Sequence, residues 1–167
     1  PRQAVHDSSS VTYPVFTAIA APEVQNKLNG DFAIIAGPYL QNLATGGCEL
    51  DYTLTFVSEK FISMVFFGVL DEGEKEIFAK IPLNIDVQTG AQLALGDVLN
   101  LRDADLLPVL RLLTKKDKVD FSKGITESWY YNGTNFVFCQ RSETGEWLEA
   151  TVAASDLKKF LLKPELF

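Results

Sequence analysis

From Glu49 to Val87 the chain sets out three β-strands in succession, and this run constrains the fold more than any other stretch. In "ELDYTLTFVSE", Leu50, Tyr52, Leu54 and Phe56 alternate with Asp51, Thr53 and Thr55. Successive side chains of a strand point to opposite faces, so this alternation predicts a strand with one buried face. "KFISMVFFGVL" is apolar almost throughout, as expected of a central strand covered on both sides. "IFAKIPLNIDV" completes the set, and Pro82, which has no N–H to donate, predicts a bend within it. Short connections favour an antiparallel meander, because parallel neighbours need a long crossover.

Helical patterns flank this sheet. "YPVFTAIA" at 13–20 reads as a strand, with Pro14 at its start or on an edge. A first helix then opens at Pro22, with Glu23 complementing its dipole. Leu28, Phe32, Ile35, Tyr39 and Leu43 make its apolar face, and Gly37-Pro38 predicts a kink or break near its last turn. A second helix is expected after Asp103, presenting Leu106, Leu107, Leu110 and Leu113, with Pro108 in its first turn. The aromatic strands of "ESWYYNGTNFVFCQ" are joined by Asn132-Gly133, a strong hairpin signal. "GEWLEATVA" is another strand, and "SDLKKFLL" a short closing helix capped by Ser155. The fold class is therefore α+β: one domain over 13–167, a mainly antiparallel twisted sheet of about five to seven strands, two main helices on one face and a short C-terminal helix. Residues 1–12, polar and without periodicity, read as a tail or stalk remnant.

Charge and residue type narrow the function. The net charge is −7. Such a chain repels phosphate backbones, and no basic stripe interleaved with aromatics offsets this, so no nucleic-acid partner is expected. Lys115, Lys116 and Lys118 cluster where a helix end would favour them. The single histidine, His6, lies in the N-terminal stretch. Ser-His-Asp and Cys-His centres need a histidine held by the fold, and zinc hydrolase sites need several His or Cys ligands. "GDFAIIAG" lacks the glycine spacing and the lysine of a phosphate loop. No cofactor or metal is expected, although the "DEGEKE" turn at 71–76 offers carboxylates to a divalent cation without the alternating ligands of a calcium loop. Paired carboxylates remain the one open catalytic chemistry, with Asp86, Asp97, Glu127 and Glu146 as candidates for the acid and the base of a glycoside hydrolase.

Two features leave alternatives open. Cys48 and Cys139 are too far apart for a CxxC motif. In an oxidising compartment they could form one disulfide, contributing roughly 4 kcal/mol through chain entropy; otherwise they are separate thiols. Trp129, Tyr130, Tyr131, Phe136, Phe138 and Trp147 crowd one hairpin and its neighbour, and alternation forbids Trp129 and Tyr131 from sharing a face with Tyr130. The ligand-binding expectation falls on Trp129, Tyr131 and Trp147, whose rings would stack on a sugar or anchor a protein loop. The competing reading buries them all.

The stretch "NIDVQTGAQLALGDVLN" reads as a scaffold corner: Gly90 permits a left-handed turn, and Asp97 caps or braces the next segment. With the order of elements around it, this corner resembles a family of bacterial extracytoplasmic domains of unknown function. Such domains occur in lysozyme-sensing, membrane-anchored anti-sigma factors and ahead of peptidoglycan polysaccharide deacetylase domains. The family's strand ends in an Asn/Asp-x-Asp-x-x-Thr-Gly corner followed by a Leu-x-Leu-x-Asp step, which here are Asn84, Asp86, Thr89, Gly90, Leu93, Leu95 and Asp97. The sequence departs from it in one place, where "LDEGEKEIFAK" lacks the Gly-Gly-Ala-His step of many members. The resemblance implies a non-catalytic binding or sensing module of a cell-envelope protein, whose ligand is a protein or a cell-wall glycan. It also implies an extracytoplasmic location, reached through a signal or an N-terminal membrane anchor ahead of Pro1.

Overall fold

The computed structural model describes residues 1–6, 9–45, 47–71 and 76–167. Its strands divide over two sheets. The larger contains β1 (Arg2–His6), β2 (Ser9–Tyr13), β3 (Cys48–Val57), β4 (Phe61–Asp71), β5 (Glu76–Asp86) and β6 (Ala91–Gln92), in that spatial order. The smaller contains β7 (Trp129–Tyr131), β8 (Asn135–Arg141) and β9 (Trp147–Ala153). The helices are α1 (Pro22–Asn42), α2 (Leu95–Val98) and α3 (Leu106–Leu113), with a 3₁₀ segment, Ala154–Phe160, after β9. The class is the α+β one the sequence predicts, with sheets mostly antiparallel. One pair departs from this: β2 runs parallel to β3, and α1 is the crossover a parallel pair requires. The two main helices do not share a face, however: α1 packs on one side of the large sheet, and α3 joins the core on the other, where the small sheet supplies its apolar partners.

The N-terminal tail reading is corrected. Residues 2–6 and 9–13 form an antiparallel ribbon that adds to β3. Ser9, Val11 and Tyr13 turn inward, so a half-buried strand was hidden by the serines in its alternation. Pro14 ends the strand, and 14–19 has no regular structure. This segment is held instead by Asn29 of α1, whose amide donates to the Phe16 carbonyl (2.9 Å) and accepts from the Phe16 N–H (2.8 Å).

The three predicted strands form the centre. β4 pairs with β3 along one edge and β5 along the other, and Phe61 to Phe66 are buried on both faces. One face packs on α1. Val24, Leu28, Phe32, Ala36 and Tyr39 recur at four- and three-residue spacing and meet Leu50, Met64, Phe66, Leu83 and Ile85. Gly68 is where Tyr39 crosses β4: a Cβ there would lie 2.1 Å from the Tyr39 hydroxyl. The expected break at Gly37-Pro38 does not occur. α1 continues to Asn42, because burying Tyr39 outweighs one missing ladder bond near the helix end.

Pro82 does not interrupt β5 either, whose register with β4 is unbroken from Glu76 to Asp86. The Asn84 carbonyl accepts from the Leu93 N–H on the side away from β4. Polar groups two residues apart point the same way, so the Pro82 nitrogen also faces that outer edge. No β4–β5 bond is lost, and the edge is blunted.

The second core lies on the opposite face of the large sheet. Trp129, Phe136, Phe138, Leu106, Leu110, Leu157 and Phe160 are all at most 1% exposed there. Leu113, expected on the α3 core face, is 41% exposed, because this helix ends at that residue. Two buried polar residues join the sheets. Ser63 and Asn84 sit opposite each other on β4 and β5, linked by Ser63 Oγ donating to Asn84 Oδ1 (2.8 Å). Asn84 Nδ2 donates to the Trp129 carbonyl (2.7 Å), and Ser63 Oγ accepts from the Tyr131 N–H (2.8 Å). These bonds satisfy the free edge of β7 inside the protein.

Candidate functional site

The Thr-Gly corner is built from its own side chains. Asp86 Oδ1 accepts from the N–H groups of Gln88 (2.9 Å) and Thr89 (3.2 Å), and Thr89 Oγ1 from Ala91 (3.2 Å). Gly90, at φ +65°, closes the turn onto the Asp86 carbonyl (2.8 Å). Asp97 Oδ2 accepts from the Ala94 N–H (2.8 Å) at the start of α2. Asp86 and Asp97 thus brace backbone, while Glu127 and Glu146 are exposed. The charged turn raised as a cation loop falls mainly on 72–75, outside the described residues. Among the described residues, no group of three or more His, Cys, Asp or Glu side chains is arranged to hold a metal.

The three predicted ligand-binding aromatics do not form one patch. Trp129 and Tyr131 are 1% and 4% exposed, which corrects their assignment to a surface. Trp129 stacks on Phe136 (5.4 Å) and Phe61 (6.4 Å), and Tyr131 meets Phe167 edge-on (5.0 Å). Trp147 belongs elsewhere, for a reason of register. Trp129 pairs with Phe138, and Phe138 with Ala150. Trp147 lies three residues before Ala150, so alternation turns it to the opposite face of the small sheet.

That face closes a cleft of about 420 Å³ against the outer face of the large sheet, within the ~300–1,000 Å³ range of small-ligand sites. Its floor follows from the strand registers. Asp51, Phe67 and Lys80 form one cross-strand row, and Glu49, Val69 and Phe78 the next. Phe67 and Phe78 are diagonal neighbours and remain 45% and 50% exposed. Trp147 forms a wall. Its indole N–H is buried and has no hydrogen-bond partner among the described residues.

The cleft ends in a polar cluster. Lys80 Nζ contacts Glu149 Oε1 in an ion pair and lies 5.5 Å from the Tyr130 ring centroid and 5.6 Å from that of Phe67. The Tyr130 hydroxyl donates to the same Glu149 oxygen (2.9 Å), and Cys139 Sγ lies 3.8 Å from it. Burial pushes the Glu149 carboxyl up, but hydrogen bonds from Lys80 and Tyr130 outweigh it and hold the group below its ordinary range. Burial also raises the Tyr130 hydroxyl, and the Glu149 charge adds to the effect. The Cys139 thiol is pushed up to about 12, mainly by burial, so it stays protonated at neutral pH and is a poor nucleophile.

The disulfide alternative is likewise corrected. Cys48 and Cys139 are both buried and free. Cys48 faces α1 and donates to the Tyr39 carbonyl (3.3 Å), whereas Cys139 faces the cleft side, so the large sheet stands between them. A second recess, about 290 Å³, opens between α1 and β5. Its cation, Lys27, is already held by Asp31 (2.6 Å) and the Gly90 carbonyl (2.8 Å).

Sequence reasoning named Trp147 and missed Phe67, Phe78, Lys80 and Glu149. A signal existed for Phe67: it falls on the Asp51 face of the meander, where an isolated ring among polar residues is out of pattern. The Lys80–Glu149 pair spans 69 residues, and no local pattern announces it.

No family model and no curated protein matches the sequence. Solved structures do share its fold. A DUF3298 family member from Bacteroides fragilis aligns over 92% of this chain and 84% of its own, with a TM-score of 0.67 and 14% identity. A DUF3298 family protein from Pseudomonas aeruginosa aligns over 95% and 85%, with a TM-score of 0.60 and 13% identity. The fold is therefore that of a domain type of unknown function.

Proposed function

We propose that this domain is a non-catalytic binding module of a bacterial envelope protein, working outside the cytoplasm, and that its ligand enters the cleft between the sheets. The observation that carries this reading is the cleft itself, whose floor leaves Phe67 and Phe78 half exposed beside the wall formed by Trp147. Exposed rings gathered in a recess are a common mark of a contact surface. The extracytoplasmic setting draws support from the sequence resemblance alone. No helix among the described residues is long and apolar enough to cross a membrane.

The test is a binding screen of the folded domain against soluble peptidoglycan fragments and, following the resemblance, lysozymes. Each hit is repeated with Trp147→Ala and with Asp86→Asn. Binding lost in Trp147→Ala with a melting temperature lowered by no more than about 2–4 °C, and kept in Asp86→Asn, is the expected result. A fragment cleaved by the domain, with turnover abolished in Asp86→Asn, would make it an enzyme and overturn the reading.

A further inference from the structure

We infer that the cleft and the groove leading from it hold an extended, basic segment of a partner polypeptide, with an apolar side chain on Phe67 and Phe78 and cationic ones against Glu49 and Glu76. This rests on the cleft being the ligand site. The strand registers lay out the surface. Val5, Ser10, Glu49, Val69 and Phe78 form one row across five strands, with Asp51, Phe67 and Lys80 in the row on one side of it. On its other side Asp71 pairs with Glu76. α1 packs on the opposite face of the sheet, and here Phe67 and Phe78 stay half exposed. Length favours a chain over a compact ligand. A recess of about 350 Å³ adjoins the cleft and shares Glu49, Val69 and Phe78 with it, so the two make one groove. Along β4 this groove runs from Phe67 to Asp71, about 13 Å at roughly 3.3 Å per residue. A ligand strand fills that length with three side chains, each two residues from the next.

Charge sets the composition of the segment. Glu49, Asp51 and Glu76 are exposed and form no ion pair among the described residues. Lys80 is the only base lining the groove among the described residues, and Glu149 already pairs it. The unpaired charge of the groove is therefore negative, on a chain of net charge −7, which attracts a cationic partner and opposes an anionic one. Glu49 and Glu76 stand on β3 and β5 with β4 between them, two strand spacings or roughly 10 Å apart. One small cation cannot reach both, and it leaves the rings uncovered. Two Lys or Arg side chains reach both, and their apolar stems suit the floor they cross. The Lys80 ammonium, 5.6 Å from the Phe67 centroid, fixes the polarity of the segment: its apolar residue lies over Phe67, and its cations lie toward Glu49 and Glu76.

The experiment follows the backbone amide resonances of Phe67, Val69 and Phe78 in the ¹⁵N-labelled domain. It titrates in three acetylated and amidated heptapeptides with Leu at the second position, Ser at the odd positions, and Lys, Gln or Glu at both the fourth and the sixth. When extended, each turns its three variable side chains to one side. The Lys peptide should move the three amides saturably, about tenfold more tightly than the Glu peptide and with the Gln peptide between them. Its affinity should fall as salt is added. Glu49→Gln combined with Glu76→Gln, in a variant whose amide spectrum shows it folded, should bring the Lys peptide down to the affinity of the Gln peptide. A Gln or Glu peptide that binds as tightly as the Lys peptide at these amides overturns the basic-segment inference and leaves the cleft as the site. So does spermine binding there as tightly, or a glycan fragment that moves these amides when the Lys peptide does not. No saturable shift with the Lys peptide also overturns the inference. A peptide or glycan that binds while all three amides stay still overturns both the inference and the site.

Discussion

Trp129 and Trp147 stand on the strands that flank β8 on either side, β7 and β9, yet they face opposite ways. On the Trp129 face Phe136, Phe138, Ala150 and Val152 are all buried in one apolar cluster with Phe61, and Phe167 packs against it. On the Trp147 face the same three strands present Tyr130, Cys139, Glu149 and Trp147 itself, and an ion pair with Lys80 takes the place of packed rings. Both faces carry a tryptophan, and what differs is what covers them. The first face is sealed by α3 and the C-terminal segment. The second leaves a cleft against the large sheet. A ring's role in this protein is therefore set by strand parity and by the opposing layer, not by residue type.

The largest expected effect breaks the sealed face. Trp129→Ala removes the centre of the stack and should lower unfolding free energy by about 3–5 kcal/mol. Trp147→Ala, on a half-buried residue with an unpaired N–H, should cost about 1 kcal/mol. Chemical denaturation of the two variants measures the contrast.

Next comes the join between the sheets. Asn84→Leu leaves the Trp129 carbonyl and the Ser63 hydroxyl without their partner, and should cost about 1–3 kcal/mol. Ser63→Ala should do the same to the Tyr131 N–H. Both residues serve one network, so the double variant should lose less than the sum, which a double-mutant cycle checks.

A smaller effect tests the open face. Glu149 has a folded-state pKa below its unfolded value, so its stabilising contribution is present above the unfolded pKa of about 4.3 and fades as pH falls through the folded value. Partial exposure screens the pair, so Glu149→Gln should cost about 0.5–1 kcal/mol at neutral pH. That difference should vanish as the wild type is titrated into acid. A gap that persists under acid conditions would assign the effect to packing. The smallest effect is one of reactivity alone. Cys48 and Cys139 should both resist labelling in the native protein and react together on unfolding, with no reductant needed to free them. A fully oxidised protein with no titratable thiol would contradict the separation of the two residues by the large sheet.

Much of the fold was legible because it is local. The β3–β4–β5 meander, the Asn132-Gly133 hairpin and the apolar stripe of α1 each follow from periodicities within one stretch. What stayed hidden depends on distant partners. Ser9 and Val11 look like part of a polar tail until β3 supplies a partner strand and α1 covers Val11. Alternation placed Trp129 and Tyr131 on one face, but their burial depends on α3 and Phe167 arriving from elsewhere in the chain. The corner residues Asp86, Thr89, Gly90 and Asp97 have local geometry and were readable. The cleft has none, since its floor comes from β3, β4 and β5 and its wall from β9.

The most direct measurement uses two single-tryptophan variants, Trp129→Phe and Trp147→Phe, and compares quenching of the remaining indole by acrylamide with and without a bound cell-wall fragment. Trp147 should be quenched in the free domain and protected by the fragment, while Trp129 should resist quenching in both states. Quenching of Trp147 that a saturating, bound fragment leaves unchanged would contradict the assignment of the cleft as the binding face.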